Sequence, residues 1–559
     1  MEHNAMPTYT VPAKIKALKP ANIPCDVKVV KGYYYVYARG ERVPDPKHPG
    51  RKKNTTGKLI GKIENGAFIP KESPIKSVTD FAESPDTLDY GAYAIAVQCS
   101  TQIVERLKKY FTISDSLTIY TIALIWFVNG FTPARDLRER YLQSVLSLKW
   151  PNVHLSENTV STFYQGLGRN NLNGVRFEQS LLDDGSKSYA IDGHVILCTS
   201  EFNELADYGN KYCKIGTTQM NMMMVYDVNK NRPVMCSAFD GAMPDKMEVA
   251  DILQTYTIRN SELIIDSGFY SEDDLDLYHE NGNRFFIPVP GTASIHKALL
   301  QERPIAYKDA FTYERKDSLG NIIHSSIMWC ETTVSRTEDL VNEIRVARAE
   351  AKTQENISKA TPGEKPKKVY PQKLHPTSYG TDRLLIFKDC QMHDKLVAEY
   401  RSKIGTDNRF TEEQLTRLEP TLGVILLRTN DLEKTPEDIY RTYKKRWKIE
   451  TNYNYIRNGV DYNALHTCDY YVTQGISFIL MVEGLIYSSF RSVKNSSSDK
   501  ALKAMSVKEC LVNAAALKIS KSMDGTWRVN KAVTRKQHIL DAFGVNVEEQ
   551  LNDYNQTSK

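Results

Sequence analysis

The sequence predicts an α/β protein whose core is interrupted by a long insertion, with a β-rich segment and a helical segment before it and helices after it. Three observations lead there. Residues of about 27–70 are short runs of valine, tyrosine and isoleucine broken by glycine and asparagine, the grammar of strands and turns. Residues of about 90–183 switch to apolar residues spaced three and four apart, the helical period. From about 185 to 290 the pattern reads strand, hairpin, helix, strand, helix, strand, and the next strand comes only at Leu422-Gly-Val-Ile-Leu-Leu-Arg428.

Taken in order, residues 1–75 form a β-rich domain containing Val27–Tyr37, Gly57–Ile63 and Gly66–Ile69. Between the first two of these, Pro44–Asn54 is basic and rich in turn formers. It reads as a solvated hairpin tip or as a contact to a phosphate backbone, where lysine and arginine release counterions. Residues 90–183 are helical. Within them, Leu155-Ser156-Glu-Asn158-Thr159-Val-Ser-Thr162 has the form of a helix capped by Ser156 that presents small polar groups, either a recognition helix or an ordinary core helix. Residues 185–290 are the first part of an α/β core, 291–420 the insertion, and 421–495 the second part of the core. Inside the insertion, Ala347–Lys373 is polar and lysine-rich, the composition of a linker or a solvated loop. In the C-terminal part, Tyr471–Phe490, Ser506–Ile519 and Lys536–Phe543 are expected to be helical, with 496–559 packing on the core or helping it dimerise.

Composition sets bounds. The 559 residues leave room for several domains, and 41% hydrophobic with 25% charged residues is ordinary globular usage. A net charge of +5 excludes a uniformly basic polyanion binder and leaves local patches to do that work. Nine cysteines without a Cys-x-x-Cys pair imply free thiols in a reducing compartment and no zinc site. The amino terminus lacks a secretory pattern. Leu117–Phe131 is shorter than the roughly 20 residues a span requires, and Ser477–Tyr487 carries Glu483, so both read as core helices and no membrane is expected.

Three acids stand out. Ser188-Tyr-Ala-Ile-Asp192-Gly and Glu262-Leu-Ile-Ile-Asp266-Ser-Gly each place one aspartate at the end of a short apolar strand. A carboxylate there is costly to desolvate unless it is paired or meets a cation. Two such strands side by side aim both acids at one spot. The third acid, Glu450, lies in Tyr443-Lys-Lys-Arg446-Trp-Lys-Ile-Glu450, continuing to Arg457. On one continuous helix Tyr443, Arg446, Glu450 and Arg457 share a face within roughly 60°. A solvated, charge-laced helix gives the same pattern. Three carboxylates suit a hard divalent cation such as Mg²⁺ better than Zn²⁺. Rivals are His194, two residues past Asp192, and Asp227, Asp240 and Asp245, each beside a turn or helix start where aspartate has local uses. Trp447 is expected in the core.

Together these motifs resemble the DDE transposases of the insertion-sequence-four superfamily. Their third-acid signature, Tyr, two residues, Arg, three residues, Glu, six residues, Lys or Arg, is matched at Tyr443, Arg446, Glu450 and Arg457. Other blocks match at Asp192, Tyr208-Gly209, Gln219–Val225, Arg232–Gly241, Asp245-Lys246 and Asp266-Ser-Gly-Phe. The resemblance implies a ribonuclease H-like core with an insertion between the second and third acids, for which the 184 residues from 266 to 450 leave room. It implies that Asp192, Asp266 and Glu450 are the catalytic metal ligands for two Mg²⁺ ions, with Mn²⁺ as a substitute, and that Tyr443, Arg446 and Arg457 contact DNA. The partners implied are double-stranded DNA, as element ends and target, and a second copy of the chain bound to it. The expected location is the cytoplasm of a bacterial or archaeal cell, at the nucleoid when bound to DNA. The expected activity is cleavage at mobile-element ends followed by 3′-hydroxyl strand transfer. A nuclease that cuts without joining and an inactive DNA-binding descendant are the alternatives. The strand at 422–428 is expected beside the one ending at Asp266, with the insertion leaving and returning as a lobe.

Overall fold

The computed structural model describes residues 11–20, 23–44, 52–71, 87–209, 215–243, 245–271, 275–300, 305–316, 321–336, 346, 349–350, 353–354, 356, 380–407, 409–462, 464–465, 467–530 and 534–557. Two compact units result, Met1–Asp86 and Thr87–Lys559.

The first unit is an antiparallel sheet in sequence order, β1 (Cys25–Val30), β2 (Tyr33–Pro44), β3 (Lys52–Glu64) and β4 (Ala67–Pro70). Lys31-Gly32 and Asn65-Gly66 make its tight turns, with φ of 51°, 86°, 51° and 77°. Positive φ at both turn residues matches the twist of the flanking strands. Cys25, Val36 and Ile63 are the buried centre of one face, joined by Ile15 and Leu18 at α1 (Ala13–Ala17). Most of the basic loop at 44–54 lies outside the described residues; Lys52 and Lys53 belong to β3.

The second unit is built on a ten-stranded sheet. Its strands are β5 (Ser188–Cys198), β6 (Gln219–Asp227), β7 (Arg232–Asp240), β8 (Glu262–Ile265), β9 (Arg284–Pro288), β10 (Asp309–Lys316), β11 (Ile322–Arg336), β12 (Gly380–Asp389), β13 (Val424–Thr429) and the short β14 (Ala464–Leu465). The order is β10-β11-β12-β13-β9-β8-β5-β6-β7, with β14 also paired to β5. Strands β5, β8 and β9 run parallel, whereas β6 and β7 are antiparallel to their neighbours.

Two expectations change here. The strand at 422–428, observed as β13, does not lie beside β8: it pairs with β9 and β12. The reason is that β9 follows β8 closely in sequence and takes β8's free edge in parallel, leaving β13 to add antiparallel one place further out. The described strands of the insertion, β10 to β12, form no sheet of their own and extend the core sheet edge to edge. The lysine-rich stretch at 347–373 lies largely outside the described residues.

Helices α5 (Pro436–Lys444), α6 (Trp447–Asn458) and α7 (Tyr470–Ser496) pack on this sheet, and α2 (Gly91–Leu107), α3 (Ile113–Asn129) and α4 (Glu157–Arg169) pack on α7. Thr112 caps α3 by accepting the Asp115 N–H at 3.1 Å, and Gly130, at φ 83°, ends it. Among the described residues α7 is long and apolar enough to cross a membrane, and it is mostly buried within the unit. At the start of α4, Ser156 caps no backbone N–H; its hydroxyl pairs with that of Thr159 at 2.7 Å. Asn158, Thr159 and Thr162 are exposed. The helix expected over Ser506–Ile519 ends at Ala515. Lys518–Lys521 is instead a strand, because Ile519 is buried in register with Leu88 and Val529 in a small three-stranded sheet. All eight described cysteines are free.

Candidate active site

The sheet brings the first two acids together by register. Strands β5 and β8 pair in parallel through Ile191 and Ile265, so Asp192 and Asp266 follow at the same level on neighbouring strands. Asp192 accepts the Gly193 N–H at 2.9 Å, and Asp266 ends its strand by accepting the Ser267 N–H at 2.7 Å.

Glu450 arrives on α6. Thr435 caps α5 by accepting the Asp438 N–H at 3.1 Å, with Pro436 in the first turn. The single helix expected through 443–457 is in fact two. Between them the backbone tightens to bonds three residues apart, Lys445 N–H to Thr442 O at 3.1 Å and Arg446 N–H to Tyr443 O at 3.0 Å. Such a narrowed turn marks a local departure from α geometry. Helix α6 buries Ile449, Asn452, Tyr453 and Ile456. Trp447, about 200° round the helix from Ile449, falls off that stripe and is 54% exposed, not in the core.

All three carboxylates meet one guanidinium. Arg446 Nη1 stands 3.6 Å from Asp192 Oδ2 and 3.5 Å from Asp266 Oδ2, while Nη2 pairs with Glu450 Oε1. Asp192 is only 15% exposed. Burial pushes its carboxyl up to about 7; the negative Asp266 and Glu450 add to this, and Arg446 and the Gly193 N–H oppose it. For Arg446 the three acids outweigh burial and hold the guanidinium charged. Tyr443 is buried, which pushes its hydroxyl up to about 12 against the nearby Arg446 charge.

Other side chains were not singled out by sequence pattern. Tyr453 donates to the Asp192 carbonyl at 2.7 Å, tying α6 to β5 beside the first acid. Arg428, 1% exposed, bonds Asp382 Oδ2 at 2.8 Å and donates to the Tyr270 hydroxyl at 3.1 Å, and His279 lies 3.2 Å from Asp382. This anchors the segment that follows Asp266 to β12 and β13. An arginine inside the apolar run Val424–Thr429 was its one signal in the sequence. Arg457 does reach towards the site, but its Nη2 lies 3.5 Å from His194 Nε2, and the His194 ring stacks on Tyr453. Asp227 is buried and accepts the Ser186, Asn229 and Lys230 N–H groups, a turn-holding role, and Asp240 accepts the Ala242 N–H. The Asp245 side chain lies outside the described residues.

Three carboxylates with neither thiolate nor imidazole among them are the donor chemistry of a hard divalent cation. They fit one in kind, and they already surround a positive charge. As the side chains stand, no three His, Cys, Asp or Glu groups among the described residues are gathered closely enough to hold a metal. The Arg446 guanidinium takes up the space they share.

The fold thus gathers two aspartates from adjacent parallel strands and one helix glutamate around an arginine. A family model described as the transposase DDE domain matches residues 185–474, just over half of the chain, and the chain belongs to that family. Among solved structures, a cryo-EM structure of the piggyBac transposase synaptic complex with hairpin DNA is similar over 84% of this chain and 85% of that one. The two chains share 10% identity, with a TM-score of 0.35. No curated protein matches the chain.

Proposed function

We propose that the chain is a DNA transposase of the insertion-sequence-four type that cleaves the ends of a mobile element and joins the freed 3′-hydroxyl to target DNA. One observation carries the reading: Asp192, Asp266 and Glu450, from two strands and a helix spread over 258 residues, converge on a single cation. A strand order of 3-2-1-4-5 for β5 to β9, the ribonuclease H-like arrangement, supports it.

Asp192, Asp266 and Glu450 would hold Mg²⁺ or Mn²⁺, two ions in the full site. When bound, such ions activate the attacking water or 3′-hydroxyl and stabilise the leaving oxygen. The chain's own residues supply the rest. Arg446 gives up its carboxylates and turns its fork to a phosphate, which it can bind in two places. Tyr443, beside it, hydrogen-bonds the same strand, and Arg457 fixes the backbone further along; such contacts set register and carry no sequence information. Tyr453 holds Asp192 in place, and the Arg428–Asp382 pair holds the segment after Asp266. The DNA is double-stranded, the working form a homodimer on it, and the setting a prokaryotic cytoplasm. The segments 1–75, 90–183, 291–420 and 496–559 serve as accessory regions around the core.

The test uses duplexes taken from the DNA flanking the gene, incubated with the full chain and Mg²⁺ or Mn²⁺. Cleavage at inverted repeats with joined products is expected. Cutting without joining would select the nuclease alternative, and no metal-dependent cutting would overturn both.

A further inference from the structure

The first unit carries a second feature, on the sheet of β1 to β4. One face is closed by α1 over Cys25, Val36 and Ile63, with Tyr34 packed against them. Side chains alternate across a strand, so Tyr33, Tyr35 and Tyr37 share the opposite face. Tyr33 is 64% exposed, and the other two rings are half-buried. Lys28 on β1 and Lys62 on β3 both register with Tyr35, one from each side. Lys28 Nζ also lies 6.0 Å from the Tyr37 ring centre. Val30 and Ile69, both exposed, lie at the rims of the face.

Charge points to the class of partner. Met1–Asp86 holds fifteen Lys and Arg against nine Asp and Glu, a net +6 (15 − 9), while the whole chain has +5, so the remainder is at −1. Four of those nine acids follow β4. Among the described side chains, the two acids on the face pair with bases, Asp26 with Arg39 at 3.0 Å and Glu64 with Lys62 at 2.5 Å. Three tyrosines at alternate positions of one strand, flanked by lysines in a basic unit, combine stacking surfaces with phosphate neutralisation.

We propose that this open face binds single-stranded polynucleotide, with bases stacked on Tyr33, Tyr35 and Tyr37 and phosphates met by Lys28 and by Lys62, which leaves Glu64 for them. The unpaired form follows from the rings. In a duplex each base face is covered by its neighbours and offers a tyrosine nothing to stack on, so lysines alone would serve there. The inference rests on this sheet and is independent of the three-acid reading; either can fail without the other.

The experiment is fluorescence anisotropy with the full chain in EDTA, using oligothymidylate and oligouridylate of about 16 nucleotides, a length within one platform's reach, and a duplex of equal length. The variants are Tyr33→Ala/Tyr35→Ala, Tyr33→Phe/Tyr35→Phe and Lys28→Ala/Lys62→Ala. The alanine pair should weaken single-strand binding at least about tenfold, the loss expected for stacked bases, and leave duplex binding unchanged. The phenylalanine pair keeps the rings and should bind as wild type, which separates stacking from any folding defect. The lysine pair should flatten the salt dependence. Thymidylate and uridylate distinguish DNA from RNA as the source of the strand. Unchanged single-strand binding in the alanine pair, loss in the phenylalanine pair, or a loss confined to the duplex would each overturn the proposal.

Discussion

Arg446 is the residue on which the site turns. Three like charges gathered at the end of two parallel strands repel one another, and in the metal-free protein the guanidinium is what offsets that repulsion. Removing it leaves the acids uncompensated. Arg446→Ala should therefore destabilise the metal-free protein by about 1–3 kcal/mol, between the surface and buried limits for ion pairs because Glu450 is 49% exposed. Added Mn²⁺ should raise the Tm of this variant more than that of wild type, since no guanidinium has to be displaced. Thermal unfolding with and without Mn²⁺ checks both, and an unchanged metal-free Tm would show that the arginine is a bystander. The acids were legible in the sequence because each interrupts an apolar strand or follows a tyrosine and arginine at helical spacing. Their common contact with Arg446 was not, because it depends on the chain tightening at Lys445 and Arg446, and nothing in that run of ordinary helix formers marks a break.

At the scale of elements, α4 and α7 cross in close backbone contact. A Cβ on Gly168 would lie 1.9 Å from the Tyr471 carbonyl oxygen, and one on Gly475 would lie 2.2 Å from that of Tyr164. Two reciprocal glycines thus let the helix backbones touch. Alanine normally favours a helix over glycine by up to about 1 kcal/mol. Here the sign should reverse, with Gly168→Ala or Gly475→Ala destabilising by about 1–3 kcal/mol through overpacking. Chemical denaturation measures it, and a stabilised variant would mean that the helices are further apart. The recognition-helix pattern at 155–165 is partly explained by this packing, since Val160, Tyr164 and Gly168 form the buried stripe. Strand pairing was the less legible level. The sequence shows each strand of the insertion only as a local run; which edge it joins is decided by partners far away, and β9 took the place expected for β13.

For the whole molecule, two fully buried acids outside the site contribute to how stability follows pH. Burial pushes Glu178 and Glu483 each up to about 8, from an ordinary value near 4.5, against hydrogen bonds from Tyr256 and Tyr455. The folded chain therefore keeps protons that the unfolded chain releases, and the stability this gives is full below about pH 4.5 and lost as pH rises through about 8. Glu483→Gln, which stays neutral and can still accept from Tyr455, should flatten the decline across that window. An unaltered pH profile would place the Glu483 proton loss outside folding. The central claim, however, is that three acids drawn from distant parts of one sheet and its helix make one metal-binding centre. Its most direct measurement is Mn²⁺ binding to the full chain, followed by electron paramagnetic resonance, for wild type and for Asp192→Asn, Asp266→Asn and Glu450→Gln. The account predicts saturable binding by wild type and a loss in every variant larger than the roughly 10–100-fold typical of outer partners. Binding that survives in all three variants with wild-type affinity would contradict it.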